Sequence, residues 1–501
     1  METWDWTADL SRSYNRRAKA PLRKLDGPPS LAGLAYGVRS RKDGDSMKSK
    51  ISAAATLLFL TGSLGAAQAD VGLVNLGSGI TPYAASADGS VVAGYDTSQY
   101  FYWTADGGMV GIGGTIPGGG AGGTPSISDD GTILVGTALN SVSGANEISY
   151  FVIADGEWTH LGGIGGQSGS EISSGYGISG DGETVVGLGW IDAGGAHAVK
   201  WRESTGLEDL GSTVAGRSSR ANAANGDGSF IGGWQDSDTG FRQGAIWIHG
   251  TQVLIWNDPA ETVRLGEVAD VSGDGYWAVG SGVSANGWQP WRWNGLDGAE
   301  SLGHLDPAWR GAATALSFGG EVIVGFDRPF PGPATFGQGF IYTDDLGLVN
   351  LNTYAADQGI DTQGVTLALP LGISADGLTV VGVGRTATAT VGWVLTLPTP
   401  SSDVEDGIHA NGFHWNSSPN PFRSETVVSF SMELPGRARI DIYDAAGRSV
   451  RSPLFEGRGE GEVVAHWDGR DGAGRLVPAG TYFARLVLPT STSVRKLIRV
   501  D

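Results

Sequence analysis

The chain has 501 residues and no Cys, so disulfides, thiolate metal sites and a cysteine nucleophile are excluded. Its 83 Gly follow no Gly-X-Y period, which rules out collagen, and its 17 Trp, 13 Tyr and 15 Phe are too many for a disordered chain. With 53 acidic against 33 basic side chains the net charge is −20, which disfavours nucleic acid and anionic lipid as partners.

Residues 1–46 are polar and basic and precede Met47-Lys48-Ser49-Lys50, an apolar run from Ile51 to Leu64, and the small-residue site Ala67-Gln68-Ala69. Residues 47–69 therefore read as a secretory signal peptide, too short in its apolar part for a membrane span of ~20 residues. Translation is expected to start at Met47, with 1–46 a spurious or disordered extension. Residues 1–69 hold 11 basic and 6 acidic side chains, so the remainder has 33 − 11 = 22 basic and 53 − 6 = 47 acidic, a net of −25. Residues 408–501 hold 12 basic and 10 acidic, which leaves 10 and 37 for residues 70–407, a net of −27.

A motif of the form Ser-x-Asp-Gly-x-x-Val-x-Gly recurs seven times, starting at Ser86, Ser128, Ser179, Asn225, Ser272, Ser317 and Ser374. The spacings are 42, 51, 46, 47, 45 and 57 residues, and the sixth copy, Ser317-Phe318-Gly319-Gly320, lacks the Asp. Asp-Gly between apolar runs predicts a two-residue hairpin turn with both central residues at positive φ. The Asp residues are read as turn formers, with a calcium or catalytic role as the alternative. Each unit also carries an aromatic strand, as in Tyr100-Phe101-Tyr102-Trp103 or Ala245-Ile246-Trp247, and a Leu-Gly strand, as in Glu208-Asp209-Leu210-Gly211. The seventh aromatic strand, Gly392-Trp393-Val394, has no Leu-Gly strand after it, whereas an extra one, Gly72 to Gly77, precedes the first repeat. The tally balances if the N-terminal strand completes the last unit, as in a closed ring. The expected fold class is therefore all-β, a seven-bladed β-propeller over 70–398 followed by a small Ig-like β-sandwich. An open solenoid is the alternative.

The units resemble the bacterial HAF-type extracellular repeat family, most closely at His197-Ala198-Val199-Lys200-Trp201 and Leu207-Glu208-Asp209-Leu210-Gly211. That resemblance implies an extracellular β-repeat protein and supplies no reaction.

Residues 399–415 read as a linker. Over 416–501, about seven short alternating strands are expected. Pro419-Asn420-Pro421-Phe422, Ile440-Asp441-Ile442-Tyr443-Asp444, Trp467-Asp468-Gly469-Arg470-Asp471 and Gly480-Thr481-Tyr482 resemble the Ig-like domain of the flagellar hook-cap (FlgD) type and the related C-terminal sorting domain of type IX secretion. The resemblance implies sorting or surface attachment through the secretion machinery.

No His pair has zinc spacing, no nucleophile elbow stands out, and no Gly-rich stretch opens a helix as a phosphate loop does. No catalytic, cofactor-binding or metal-ligating residue is named, and no cofactor is expected apart from calcium as the alternative. Trp234, Trp288 and Trp309 are read as packing residues, with a sugar-stacking surface as the alternative. The functional expectation is a secreted or cell-surface repeat protein that binds an extracellular protein or glycan, without a transmembrane helix. The alternative is an extracellular propeller enzyme, a glycan lyase or hydrolase, for which carboxylates gathered at one end of the channel would speak.

Overall fold

Seven four-stranded antiparallel sheets follow one another along the chain in a computed structural model that describes residues 71–500 apart from 119–121, 258–262, 285–286, 296–297, 399–414, 445–447 and 488–491. The leader at 1–69 and all but the last residue of the linker expected at 399–415 lie outside the described residues. Blades 1 to 6 span 81–113, 126–160, 173–211, 219–254, 268–301 and 310–350. Blade 7 takes three strands from the C-terminal side, Thr366–Ile373, Thr379–Arg385 and Thr390–Thr396, and its fourth from the N-terminal strand Gly72–Ser78. Leu73 pairs with Leu395 and Asn75 with Trp393, so the ring is sealed as the strand tally predicts.

The motif turns join every blade to the next. Ala87 N donates to Asp129 O, Asp129 N to Gly180 O, Asp181 N to Gly226 O and Gly226 N to Gly273 O. Asp274 N then donates to Phe318 O, Phe318 N to Ala375 O, and Asp376 N back to Ala87 O. This closed circle of backbone hydrogen bonds excludes the open solenoid. Each motif Gly also abuts a residue at or just before the start of the second strand of the preceding blade. A Cβ at Gly131 would press on Val91, at Gly228 on Thr184, and at Gly89 on Thr379 across the seal between blades 7 and 1.

The turn differs from the two-residue form expected. Ser86 N bonds Val91 O, so four residues lie in the loop, and Gly89 N bonds Ser86 O. Only the Gly has positive φ (71° at Gly89), not the Asp. The reason is side-chain chemistry: Asp88 Oδ1 accepts from Ser86 Oγ and Ser90 N (both 2.9 Å), while Ser86 Oγ accepts from Val91 N (3.0 Å). A wider loop lets the carboxylate satisfy the turn internally. The Asp-less sixth copy substitutes Glu321, which accepts from Ser317 Oγ at 3.1 Å.

The third, aromatic strands supply the blade cores: Trp247, Trp291 and Trp393 are almost wholly buried, as are Phe101 and Phe340. The 57-residue spacing before the seventh motif accommodates a short helix, Leu351–Asp357, capped by Asn350 Oδ1. Leu351 and Ala355 of this helix bury against blade 7.

Among the described residues the C-terminal domain has five strands in place of the seven expected. Two of them, Thr426–Asp444 and Ser449–Trp467, run for 19 residues each. Their pairing breaks between Met432 and Gly436, at Pro435-Gly436. The bend lets one strand serve two layers, since Val428 and Phe430 before it share one core with Ile440 and Ile442 after it. Trp467 sits at the centre of that core, its indole N–H donating to Arg470 O and its ring packed on Phe422 and Tyr482. This domain meets the turns of blades 5 and 6: Phe483 stacks on Phe318 at 4.7 Å between centroids, and Arg485 lies 3.5 Å from Asp274.

Candidate functional site

The first strand of each blade packs against the first strands of both neighbours and so lines the axis. These strands carry an inserted residue three positions before the motif: Tyr83, Tyr176, Asn222, Ala269, Thr314 and Leu371 each fall at a break in register with the second strand. A bulge re-aims a side chain out of the ladder. Asn222 and Thr314 use it to bond the next blade, donating to Val268 O (2.7 Å) and Pro370 O (2.9 Å).

Blade 4 builds a charged cluster on this frame. Arg220 lies two residues before the Asn222 bulge, Arg242 opens the third strand, and Glu267 immediately precedes the first strand of blade 5. Glu267 Oε1 accepts from Arg220 Nη2 (2.5 Å) and Asn222 Nδ2 (2.8 Å), and Oε2 from Arg242 Nη1 (2.8 Å). Arg220 Nε donates to Asn222 Oδ1 at 2.7 Å. Arg242 lies over the Trp234 ring at 4.0 Å from its centroid, and Arg220 over Tyr176 at 4.4 Å and Trp234 at 5.4 Å. Such contacts stabilise desolvated cations by ~2 kcal/mol.

Burial works against the Glu267 carboxylate, but Arg220 and Arg242 outweigh it and hold its pKa below the ordinary value. The Arg220 pKa is raised: burial opposes its charge and Glu267 prevails. That of Arg242 is lowered, since burial prevails and the Arg220 charge adds to it. The charges of Arg220 and Glu267 reach Tyr83 of blade 1, whose phenol pKa burial raises. Blades 1 and 4 stand three apart in a ring of seven, so this influence runs across the axis and the cluster faces the channel.

Glu171, just before the first strand of blade 3, is a second buried carboxylate. It accepts from Gly122 N (2.6 Å) and Trp190 Nε1 (3.1 Å), and burial raises its pKa. Burial raises the pKa of Tyr176, on which the charges of Arg220, Glu171 and Glu267 also act.

The cluster lies at the end of the channel away from the motif turns. At the turn end the motif's second residues are Ala87, Asp129, Gly180, Gly226, Gly273, Phe318 and Ala375. Phe318 lies over Gly273 and Asp129 against Gly180, contacts that a Cβ at either Gly would obstruct.

Sequence reading placed the motif Asp residues correctly as turn formers but missed Arg220, Arg242 and Glu267, which lie outside the repeated motif. The signal available was basic residues close together in a domain poor in them. Trp234 is buried between two guanidiniums, Trp309 lies in the turn before blade 6, and the side chain of Trp288 lies outside the described ones. Among the described residues no group of three or more His, Asp or Glu could hold a metal ion. No helix among them is long and apolar enough to cross a membrane.

A family model described as the FlgD Ig-like domain matches residues 417–489. No curated protein matches the chain. Among solved structures it is similar to oligogalacturonate lyase from Vibrio parahaemolyticus, with 14% identity, 66% of this chain and 95% of that one covered, and a TM-score of 0.43. It is also similar to the β-propeller domain of the Trilobed protease from Pyrococcus furiosus, with 14% identity, coverage of 64% and 95%, and a TM-score of 0.43. TolB from Acinetobacter baumannii matches at 13% identity and a TM-score of 0.35, over 55% of this chain and 62% of that one.

Proposed function

We propose that this chain is a secreted or cell-surface protein whose propeller binds an extracellular protein or glycan, and whose Ig-like domain serves sorting or surface attachment. The observation that carries the binding role is the state of Glu267: two guanidiniums and an amide hold it ionised. A carboxylate fixed in this way orients its cations and is a poor proton donor or acceptor. The export part rests on the signal-like segment at 47–69 and the resemblance to HAF-type repeats, the attachment part on the resemblance to hook-cap and type IX sorting domains. Intact mass of the protein from culture medium and from the cell surface tests it. A species starting at Asp70 supports export, and one ending near residues 398–411 makes the last domain a removable sorting tail. Intracellular protein starting at Met1 overturns export.

The second reading, a glycan lyase or hydrolase, is favoured by one observation. Burial raises the pKa of Glu171, which bonds the Gly122 N–H and the Trp190 indole, as the environment of a general acid does. Release of unsaturated or reducing sugar ends from acidic and neutral glycans, abolished in Glu171→Gln, would replace binding with catalysis.

A further inference from the structure

We infer that the end of the channel away from the motif turns binds a small carboxylate-bearing molecule on the free N–H groups of Arg242, beside Arg220, an assignment that rests on the binding role above. The propeller has ten basic side chains against 37 acidic ones over residues 70–407, so their placement is informative. Lys200, Arg202 and Arg292 lie near the turn end of their strands. The other seven lie at the opposite end. Arg217, Arg220, Arg242 and Arg264 belong to blade 4 and its junction with blade 5, and Arg310, Arg328 and Arg385 open or close strands of blades 6 and 7.

Hydrogen bonding at the cluster is incompletely matched. Asp236 pairs across the strand with Arg242; burial raises its pKa, and the charges of Arg242 and Arg217 act against that. Each guanidinium has five N–H donors. Arg220 uses Nε and Nη2 on Asn222 and Glu267 and also bonds Tyr176, whereas Arg242 uses only Nη1, so its Nε and Nη2 have no hydrogen-bond partner among the described residues. The Arg242 side chain keeps 22% of its surface exposed and Arg220 12%, whereas the Trp234 indole N–H beside them is buried without a partner.

The chemistry restricts the ligand. Two guanidiniums repel a metal ion and accept a planar oxyanion through paired N–H groups. A large polyanion would meet the repulsion of the acidic body, which a single carboxylate entering one channel mouth avoids. Low local dielectric inside the channel strengthens the attraction.

D-glucuronate and D-glucose differ at C6 by this one group and are the matched probes. The full chain is titrated with each at pH 7 and constant ionic strength by calorimetry, with Trp fluorescence read in parallel. Glucuronate is expected to bind saturably and more weakly as chloride rises, and glucose not at all. Arg242→Gln should weaken binding at least tenfold and Arg242→Lys partially, while Lys200→Gln, the same charge change at the turn end, should leave it unaltered. If Arg242→Gln does not fold, the contrast between Arg242→Lys and Lys200→Gln decides. No saturable glucuronate signal, equal binding of glucose, or equal affinity in parent and Arg242 variants overturns the assignment. Export and cell-surface retention are measured separately, so failure here leaves the binding-protein reading intact, and failure of export leaves this site intact.

Discussion

The two ends of the propeller are built by different means. At the turn end, seven near-equivalent loops are joined by backbone hydrogen bonds, with a Gly at each contact where a side chain would not fit. At the other end the contacts are made by side chains of unlike residues, and blade 4 alone supplies Arg220, Arg242, Asn222 and Trp234. The repeated end closes the ring. The unrepeated end carries the charge that the scaffold does not need, and a function is sought where the blades stop being alike.

Breaking the charged end should cost most. Glu267→Ala leaves Arg220 and Arg242 buried together without a carboxylate, a loss of about 3–5 kcal/mol. Thermal unfolding of this variant checks it. A Tm within a degree of the parent would mean that the guanidiniums reach water without Glu267. At the repeated end, Gly89→Ala combines a positive φ of 71° with a Cβ that runs into the Thr379 side chain across the ring seal. A loss of about 1–3 kcal/mol is expected in chemical denaturation. A neutral result would show that the seal between blades 7 and 1 yields easily.

Phe318→Ala sharpens the contrast further. Phe318 is the feature by which the sixth turn departs from the others, and it stacks on Phe483 of the C-terminal domain. Its removal should weaken that contact by about 1 kcal/mol, freeing the domain while the propeller keeps its Tm. Small-angle scattering should report a larger radius of gyration, and a protease should cut the segment 399–414 faster. Unchanged scattering and cleavage would show that the contacts of Arg485 with Asp274 and Tyr276 suffice to hold the domain.

How much was legible from sequence follows the same division. The seven blades and the borrowed strand Gly72–Ser78 could be read because hairpin chemistry repeats and strands can be counted. The turn was read one size too small because a dipeptide rule ignores the Ser86 hydroxyl and Asp88 carboxylate, which together enlarge the loop. The channel cluster was invisible because Glu267 and Arg220 lie 47 positions apart in the chain. Their meeting depends on a bulge at Asn222 that no residue pattern announces. In the last domain, strand number was overestimated because the bend at Pro435-Gly436 reads as a strand end in sequence, although the chain continues through it.

The smallest expected effect is a slope with pH, in which Asp129 and Asp270 should oppose Glu267. Burial pushes Asp129 up to about 7, helped by Asp130, Asp444 and Asp181. Burial likewise pushes Asp270 up to about 7, against the N–H groups of Val271 and Leu316. An unfolded Asp titrates near ~3.9, so between about 4 and 7 the native state holds more protons than the unfolded one. Stability from these groups is therefore present at the acid side and lost as pH rises through 7. Glu267 acts in the reverse sense: its depressed pKa contributes above the unfolded value of ~4.3 and is lost on acidification below it. Tm should accordingly be higher at pH 5 than at pH 8, and fall again below pH 4. Asp129→Asn, which mimics the protonated turn end, should flatten the limb from pH 5 to 8 and leave the acid limb alone. If both limbs shift together, the two ends are coupled through the inner strands rather than built independently.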